Sequence, residues 1–296
     1  MFNISFYSSL NYPKVYKWNN KWYVLNCLNK EKHLMSRIDA KFADLKSKKE
    51  SAFVTFLMAG DPTIKESHTI FKKLPKLGVD IIEIGMPFTD PMADGILIQK
   101  AGQRSLSNET NLNNIFDLVK EIRKEDNKIP IILMGYYNPI YSMGVNKFLN
   151  LSKSSGVDGF IVVDLPPEED QEFCIPARKM GLDFIRLATP TTSSKRIPKV
   201  LKNTSGFIYY VSVTGITGSK NLDIEKVEKQ VQIIKSQTNI PVCVGFGIKT
   251  PEDAKSVSAV ADGVVVGSSI VELIEKNTPI DKICDYIKML ADAVHE

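Results

Sequence analysis

A single (β/α)8 barrel, an α/β fold of the TIM type, is what this 296-residue sequence predicts. Three observations predict it. Eight short apolar runs recur from Ala52 onward, and amphipathic stretches of helical length alternate with them. The eight units fit in roughly 250 residues, the usual length of such a barrel. The alternative for strict β–α alternation, an open doubly wound sheet, would carry G-x-G-x-x-G after its first strand; Ala59-Gly60-Asp61-Pro62 stands there instead.

The runs are 52–58 (AFVTFLM), 79–84 (VDIIEI), 130–135 (PIILMG), 159–163 (GFIVV), 182–187 (LDFIRL), 207–211 (FIYYV), 241–245 (PVCVG) and 263–266 (GVVV). Runs that are apolar at nearly every position indicate strands covered on both faces, as in parallel sheets. Helices are expected over 63–77, 111–125, 145–155, 168–180, 194–202, 223–236, 251–259 and 280–294. No linker interrupts the repeat, so residues 35–296 read as one domain. Residues 1–34 hold both tryptophans, Trp18 and Trp22, with no clear period, and read as a poorly ordered N-terminal extension.

Composition narrows the function. The net charge of +4 is spread along the chain rather than gathered in a basic run, which argues against nucleic-acid binding. No apolar stretch approaches the ~18 residues of a membrane span. Cys27, Cys174, Cys243 and Cys284 lack metal-ligand spacing and read as reduced thiols. The histidines, His33, His68 and His295, avoid the ends of the apolar runs. Acid–base chemistry would therefore fall to carboxylates or tyrosine. Lys outnumbers Arg 32 to 6, and Asn and Ile are frequent. That bias favours a plastid (chloroplast) stroma, with a bacterial cytoplasm as the alternative.

In such barrels, functional groups gather where strands end. Glu83 lies inside the second run and shares a face with Ile81 and Gly85. It is either a structural glutamate paired to a cation or a desolvated carboxyl of raised pKa, suited to giving and taking protons. The following loop, MPFTDPMADG, carries Asp90 and Asp94. Asp90 reads as a cap or a loop brace. Asp94 is either a turn residue or the second carboxylate of an acid–base pair. At the other end of the chain, Gly245-Phe246-Gly247-Ile248 and Gly267-Ser268-Ser269 follow the last two runs. Glycine amides before a helix start suit a phosphate, although turn glycines look the same. The sixth run leads into Ser212-Val213-Thr214-Gly215-Ile216-Thr217-Gly218, a mobile lid or a plain surface loop. Of Tyr209 and Tyr210, only one can face the axis.

Those residues bring a family into view. IEIGMPFTDPMADG resembles the signature of tryptophan synthase α chains. GDP at 60–62, LMGYYNP at 133–139, VSVTGITG at 211–218, VGFGI at 244–248 and VGSSIV at 266–271 support the resemblance, which runs from about Met35 to the C-terminal helix. It implies retro-aldol cleavage of indole-3-glycerol phosphate to indole and glyceraldehyde 3-phosphate. Glu83 would be the catalytic acid/base, and Asp94 would hold the indole N–H. Phe56, Tyr209 and Phe246 would line the substrate, and Thr217 would position the lid. Gly218, Gly247, Gly267 and Ser268 would bind phosphate.

The resemblance also implies a β-chain partner in an α2β2 heterotetramer. Pyridoxal phosphate would sit in that partner, with no cofactor or metal in this chain. The Asp90 and Asn138 neighbourhoods would face it. The extension departs from the family pattern, and SVSAVADG before the eighth run is compact. Rival readings are another phosphate-binding barrel enzyme, such as a sugar-phosphate epimerase or indole-glycerol-phosphate synthase, and a non-catalytic barrel that activates a partner. The first rivals would need metal-ligating histidines or a strand-end lysine, which the eight runs lack. An idle barrel would be marked by loss of Glu83 or Asp94, and both are present.

Overall fold

The computed structural model describes residues 14–18, 21–25, 35–212, 223–245 and 247–296. The chain forms two compact units, Met1–Leu34 and Met35–Glu296. In the first, Lys14–Trp18 pairs antiparallel with Lys21–Leu25, Trp18 lying opposite Lys21. The sequence pattern gives no sign of this ribbon.

In the second unit, every apolar run becomes a parallel strand: β1 (Ala52–Met58), β2 (Ile81–Gly85), β3 (Ile131–Gly135), β4 (Gly159–Val162), β5a (Asp183–Phe184), β5b (Arg186–Ala188), β6 (Ile208–Val211), β7 (Val242–Gly245) and β8 (Gly263–Val266). Hydrogen-bonded order runs β5a-β4-β3-β2-β1-β8-β7-β6-β5b. The two ends of that order are halves of one extended run, broken only at Ile185. The Ile185 amide still donates to the Phe160 carbonyl at 2.9 Å. The sheet therefore closes on itself, and closure leaves no open edge. The predicted (β/α)8 barrel is the fold observed.

Alternation along each strand sorts the core in two. Ala52, Val54, Ile81, Ile132, Ile161, Ile185, Phe207, Tyr209, Cys243 and Val265 point into the barrel. Phe53, Leu57, Ile82, Ile84 and Val264 point outward, against the helices. The inner cluster also holds Ile38, Phe42 and Leu45 of α1 (Arg37–Lys48). Their spacing is one stripe of an amphipathic helix. Phe42 packs on Phe207 at 6.0 Å between ring centroids, at the strands' N-terminal end. Ser36 caps α1 by accepting the Asp39 amide at 3.1 Å. Among the described residues this helix closes the floor, and the opposite rim of the barrel wall is left open.

The predicted helical stretches appear as α2 (Ile64–Lys73), α4 (Leu112–Glu125), α6 (Val145–Ser155), α7 (Cys174–Lys179), α8 (Ile197–Leu201), α9 (Ile224–Lys235), α10 (Pro251–Ser258) and α12 (Ile280–His295). Three are shorter than expected by more than two residues. The stretch 63–77 turns into a 3-10 helix at Leu74–Leu77, which contains Pro75. In 168–180 and 194–202, Pro176 and Pro198 stand in the first turns of α7 and α8. Proline is tolerated there, but it breaks any helix continuing upstream of it. Three more helices occur at α3 (Ile96–Ser107), α5 (Tyr137–Met143) and α11 (Ser268–Glu275).

The loop carrying Gly60-Asp61-Pro62 is tied to α3. Arg104 donates to both oxygens of the buried Asp61 carboxylate at 2.7 and 2.9 Å. Asn108 donates to the Gly60 and Pro62 carbonyls. These bonds brace the helix that begins directly after the Asp94 loop.

Candidate active site

Glu83 is the middle residue of β2, paired in register with Phe56 of β1 and Ile132 of β3. Its neighbours Ile82 and Ile84 face outward, so its side chain faces the barrel interior. It is completely buried. Neither carboxyl oxygen meets a hydrogen-bond partner among the described residues. The alternative of a structural glutamate paired to a cation is thus not what the geometry presents. Burial pushes its pKa to about 8. At neutral pH a carboxyl so placed keeps its proton, which leaves it chemically able to donate one.

Asp94 lies on the loop between β2 and α3, half-buried. Its amide donates to the Pro91 carbonyl at 3.1 Å, and its carbonyl accepts from Gln99 at 2.8 Å. Tyr136, the first residue after β3, is buried and reaches this loop. Its hydroxyl accepts the Ala93 amide at 3.0 Å, and its ring packs on Phe88 at 5.5 Å between centroids. Burial raises the Asp94 pKa, and the Tyr136 hydroxyl partly offsets this. The same surroundings push Tyr136 itself up to about 12, burial being the main cause.

Asp90 does not cap α3; Gly95 occupies that position. Instead the Asp90 carboxylate accepts from the Thr89 hydroxyl at 2.5 Å, which braces the loop.

Glycines at the strand ends make the room at the rim. Tyr209 points inward from β6, and its ring lies over Gly245, the last residue of β7. A Cβ on Gly245 would sit 2.8 Å from the Tyr209 Cζ. Phe56 is flanked in the same way, since a Cβ on Gly85 or Gly267 would stand 2.7 or 3.0 Å from its atoms. Phe56, Glu83 and Tyr209 therefore line one inner surface. Burial, then the Glu83 charge, raises the Tyr209 pKa well above its ordinary value, placing the two groups within electrostatic reach. Tyr210 belongs to the outer cluster, so Tyr209 is the inward tyrosine.

The phosphate candidates sit after β7 and β8. Gly247 has φ +79°, a conformation natural only to glycine. Gly267 is the N-cap of α11, and Ser268 begins that helix exposed to solvent. The Ser269 hydroxyl donates to the Ile248 carbonyl at 3.3 Å, joining the two loops. The Ser268 and Ser269 amides precede the first backbone bonds of α11, from Ile270 and Val271 to the Gly267 carbonyl at 3.0 Å, and carry the positive end of the helix dipole. Thr217, Gly218 and Phe246 lie outside the described residues.

Sequence reasoning missed Tyr136 and Cys243. Tyr136 directly follows a strand, which is a signal for a rim residue; its contact with the Ala93 amide spans 43 positions of chain and has no local signature. Cys243 faces inward on β7, and burial, Asp262 and Glu83 together drive its thiol pKa far up. It is part of the inner wall of the barrel. Among the described residues, no three His, Cys, Asp or Glu side chains gather as a metal site.

The family model for the tryptophan synthase alpha chain matches residues 42–293. A solved protein from Aquifex aeolicus VF5 is 41% identical, with 88% of this chain and 100% of that chain covered and a TM-score of 0.82. Tryptophan synthase subunit alpha from Legionella pneumophila str. Paris is 35% identical over 88% of this chain and 98% of its own, with a TM-score of 0.81. Tryptophan synthase from M. tuberculosis, in its aminoacrylate-bound form, is 27% identical over 88% of this chain and 100% of its own, with a TM-score of 0.80. With the match spanning nearly the whole barrel, the chain belongs to the tryptophan synthase alpha chain family.

Proposed function

We propose that this lyase cleaves indole-3-glycerol phosphate to indole and glyceraldehyde 3-phosphate. The observation that carries the reading is Glu83: a neutral, wholly buried carboxyl without a described partner in the barrel interior. Its proton goes to indole C3, making the ring an electron sink. A base, the Glu83 carboxylate so formed, takes the proton of the hydroxyl on the adjoining carbon. The C–C bond then breaks, its electron pair returns to the ring, and the glycerol carbon leaves as an aldehyde. Asp94 holds the indole N–H and offsets the positive charge that develops on the ring. Phe56 and Tyr209 flank the ring, while amides at Gly247, Gly267 and Ser268 take the phosphate. Thr217, Gly218 and Phe246 are assigned to lid, phosphate and ring by the family resemblance alone. Each step moves only protons and one electron pair, so this chain's part draws on no cofactor of its own.

Family membership implies a β-chain partner. An α2β2 assembly, with pyridoxal phosphate in the β chain, is the form we propose. A cavity of about 500 Å³ lined by Phe88, Asn111, Asn138, Pro139 and Ser142 lies beside the Asp94 loop and supports docking on that side. The AT-rich bias of the composition supports a plastid stroma, although the relatives described above are bacterial. The test is indole release from indole-3-glycerol phosphate by the purified chain, alone and with a β chain. Release, raised by the partner, is expected; no release in either case overturns the reading.

A further inference from the structure

Four strands of the barrel begin at or just after an aspartate: Asp80, Asp158, Asp183 and Asp262. Three of these carboxylates accept an amide from the neighbouring strand segment. Phe53 donates to Asp80 at 2.9 Å, Ile131 to Asp158 at 2.8 Å and Val242 to Asp262 at 2.8 Å. Each is also held by cations. Asp158 takes Arg37 at 2.9 Å and Arg123 at 2.7 Å, and Asp262 takes Lys235 at 2.6 Å. Arginine and lysine stay charged across the physiological range.

Asp80 differs. Its Oδ1 takes Lys41 of α1 at 3.2 Å, and its Oδ2 takes Nε2 of His295 at 2.8 Å. His295 is the last residue of α12, and histidine changes charge between pH 5 and 8. It sits where the helix dipole favours a cation. Asp80 is nearly buried and His295 about a quarter exposed, so solvent screens the pair only in part.

We propose that His295 is a proton-operated latch that, when protonated, fastens the last turn of α12 to Asp80 on the floor of the barrel. Loss of the proton replaces the ion pair with at most a neutral Nε2–H bond to Asp80, which loosens that turn. The barrel stays closed, because Asp80 keeps Lys41 and the Phe53 amide. The charged groups facing the imidazole are Asp80, Glu50 and Lys41. Hydrogen bonding to Asp80 raises its pKa most; burial and Lys41 oppose, and Glu50 adds to the rise. A raised histidine pKa stabilises the fold below the unfolded value, and that stabilisation disappears as pH climbs through the folded value.

Hydrogen exchange of the full chain tests the latch, with amide protection of residues 292–295 compared at pH 6 and pH 8.5 after correction for intrinsic rates. In the wild type, protection should fall roughly threefold to tenfold over that range. In His295→Gln it should be low and flat. The His295 ring protons, assigned by NMR through that variant, should titrate above the ordinary 6.5. Lys41→Met should move the midpoint higher still, as it removes the opposing charge without touching the Phe53 bond. Unchanged wild-type protection, or an imidazole midpoint at or below the ordinary value, overturns the proposal.

Discussion

Glu83 of β2 and Tyr209 of β6 share the interior of the barrel, close enough that the charge of one raises the pKa of the other. Both are buried, and the carboxyl has no described hydrogen-bond partner to soften its desolvation. A group placed so expensively calls for a use, and proton transfer inside the barrel is the use that fits.

The expense should be measurable. A carboxyl with a raised folded pKa keeps its proton in the native state while the unfolded chain releases it. Wild-type stability therefore declines as pH rises from about 4.5 to about 8, then levels off. Glu83→Gln removes the titration. Urea unfolding should find the variant equal to wild type near pH 4 and more stable at pH 9, by as much as about 5 kcal/mol. An advantage that does not change with pH would show that Glu83 is not buried and neutral.

Tyr136→Phe deletes the acceptor of the Ala93 amide but keeps the ring on Phe88. Stability should fall by only about 1 kcal/mol, the usual worth of one hydrogen bond. Cleavage should suffer more, with kcat/KM down roughly tenfold to a hundredfold, because a displaced Asp94 loop misaligns the reacting pair. Steady-state kinetics beside thermal melts separate the two effects.

Gly245→Ala would drive a methyl group into the Tyr209 ring. Overpacking of this kind costs about 1–3 kcal/mol and should displace Tyr209 from the pocket. Gly95→Ala is the control, since no atom lies within 4 Å of a Cβ there. The expected outcome is a large loss of indole release for the first variant and stability within about 1 kcal/mol of wild type for the second.

What could be read from the sequence was what strand alternation and strand ends encode. Counting from Ile81 places Glu83 on its face, and eight apolar runs suffice for the barrel. The helix shortening at Pro176 and Pro198 follows from proline's missing amide, a local rule legible in the sequence. Other features depend on residues far apart in the chain. Ile38, Phe42 and Leu45 form a helical stripe, but nothing local says that it plugs a barrel floor. Tyr136 with Ala93, and His295 with Asp80 across 215 positions, are meetings that only the closed fold creates. The Asp90 carboxylate, read as a cap or a brace, turned out to brace because Gly95 had already taken the N-cap position.

The pH dependence of kcat/KM for indole release, measured from pH 5 to 10 on wild type and Glu83→Gln, tests the central claim most directly. The account predicts that wild-type activity falls above an apparent pKa near 8, as the donor loses its proton, and that the variant is inactive throughout. Activity level through pH 9.5, or turnover by Glu83→Gln within tenfold of wild type, would contradict it.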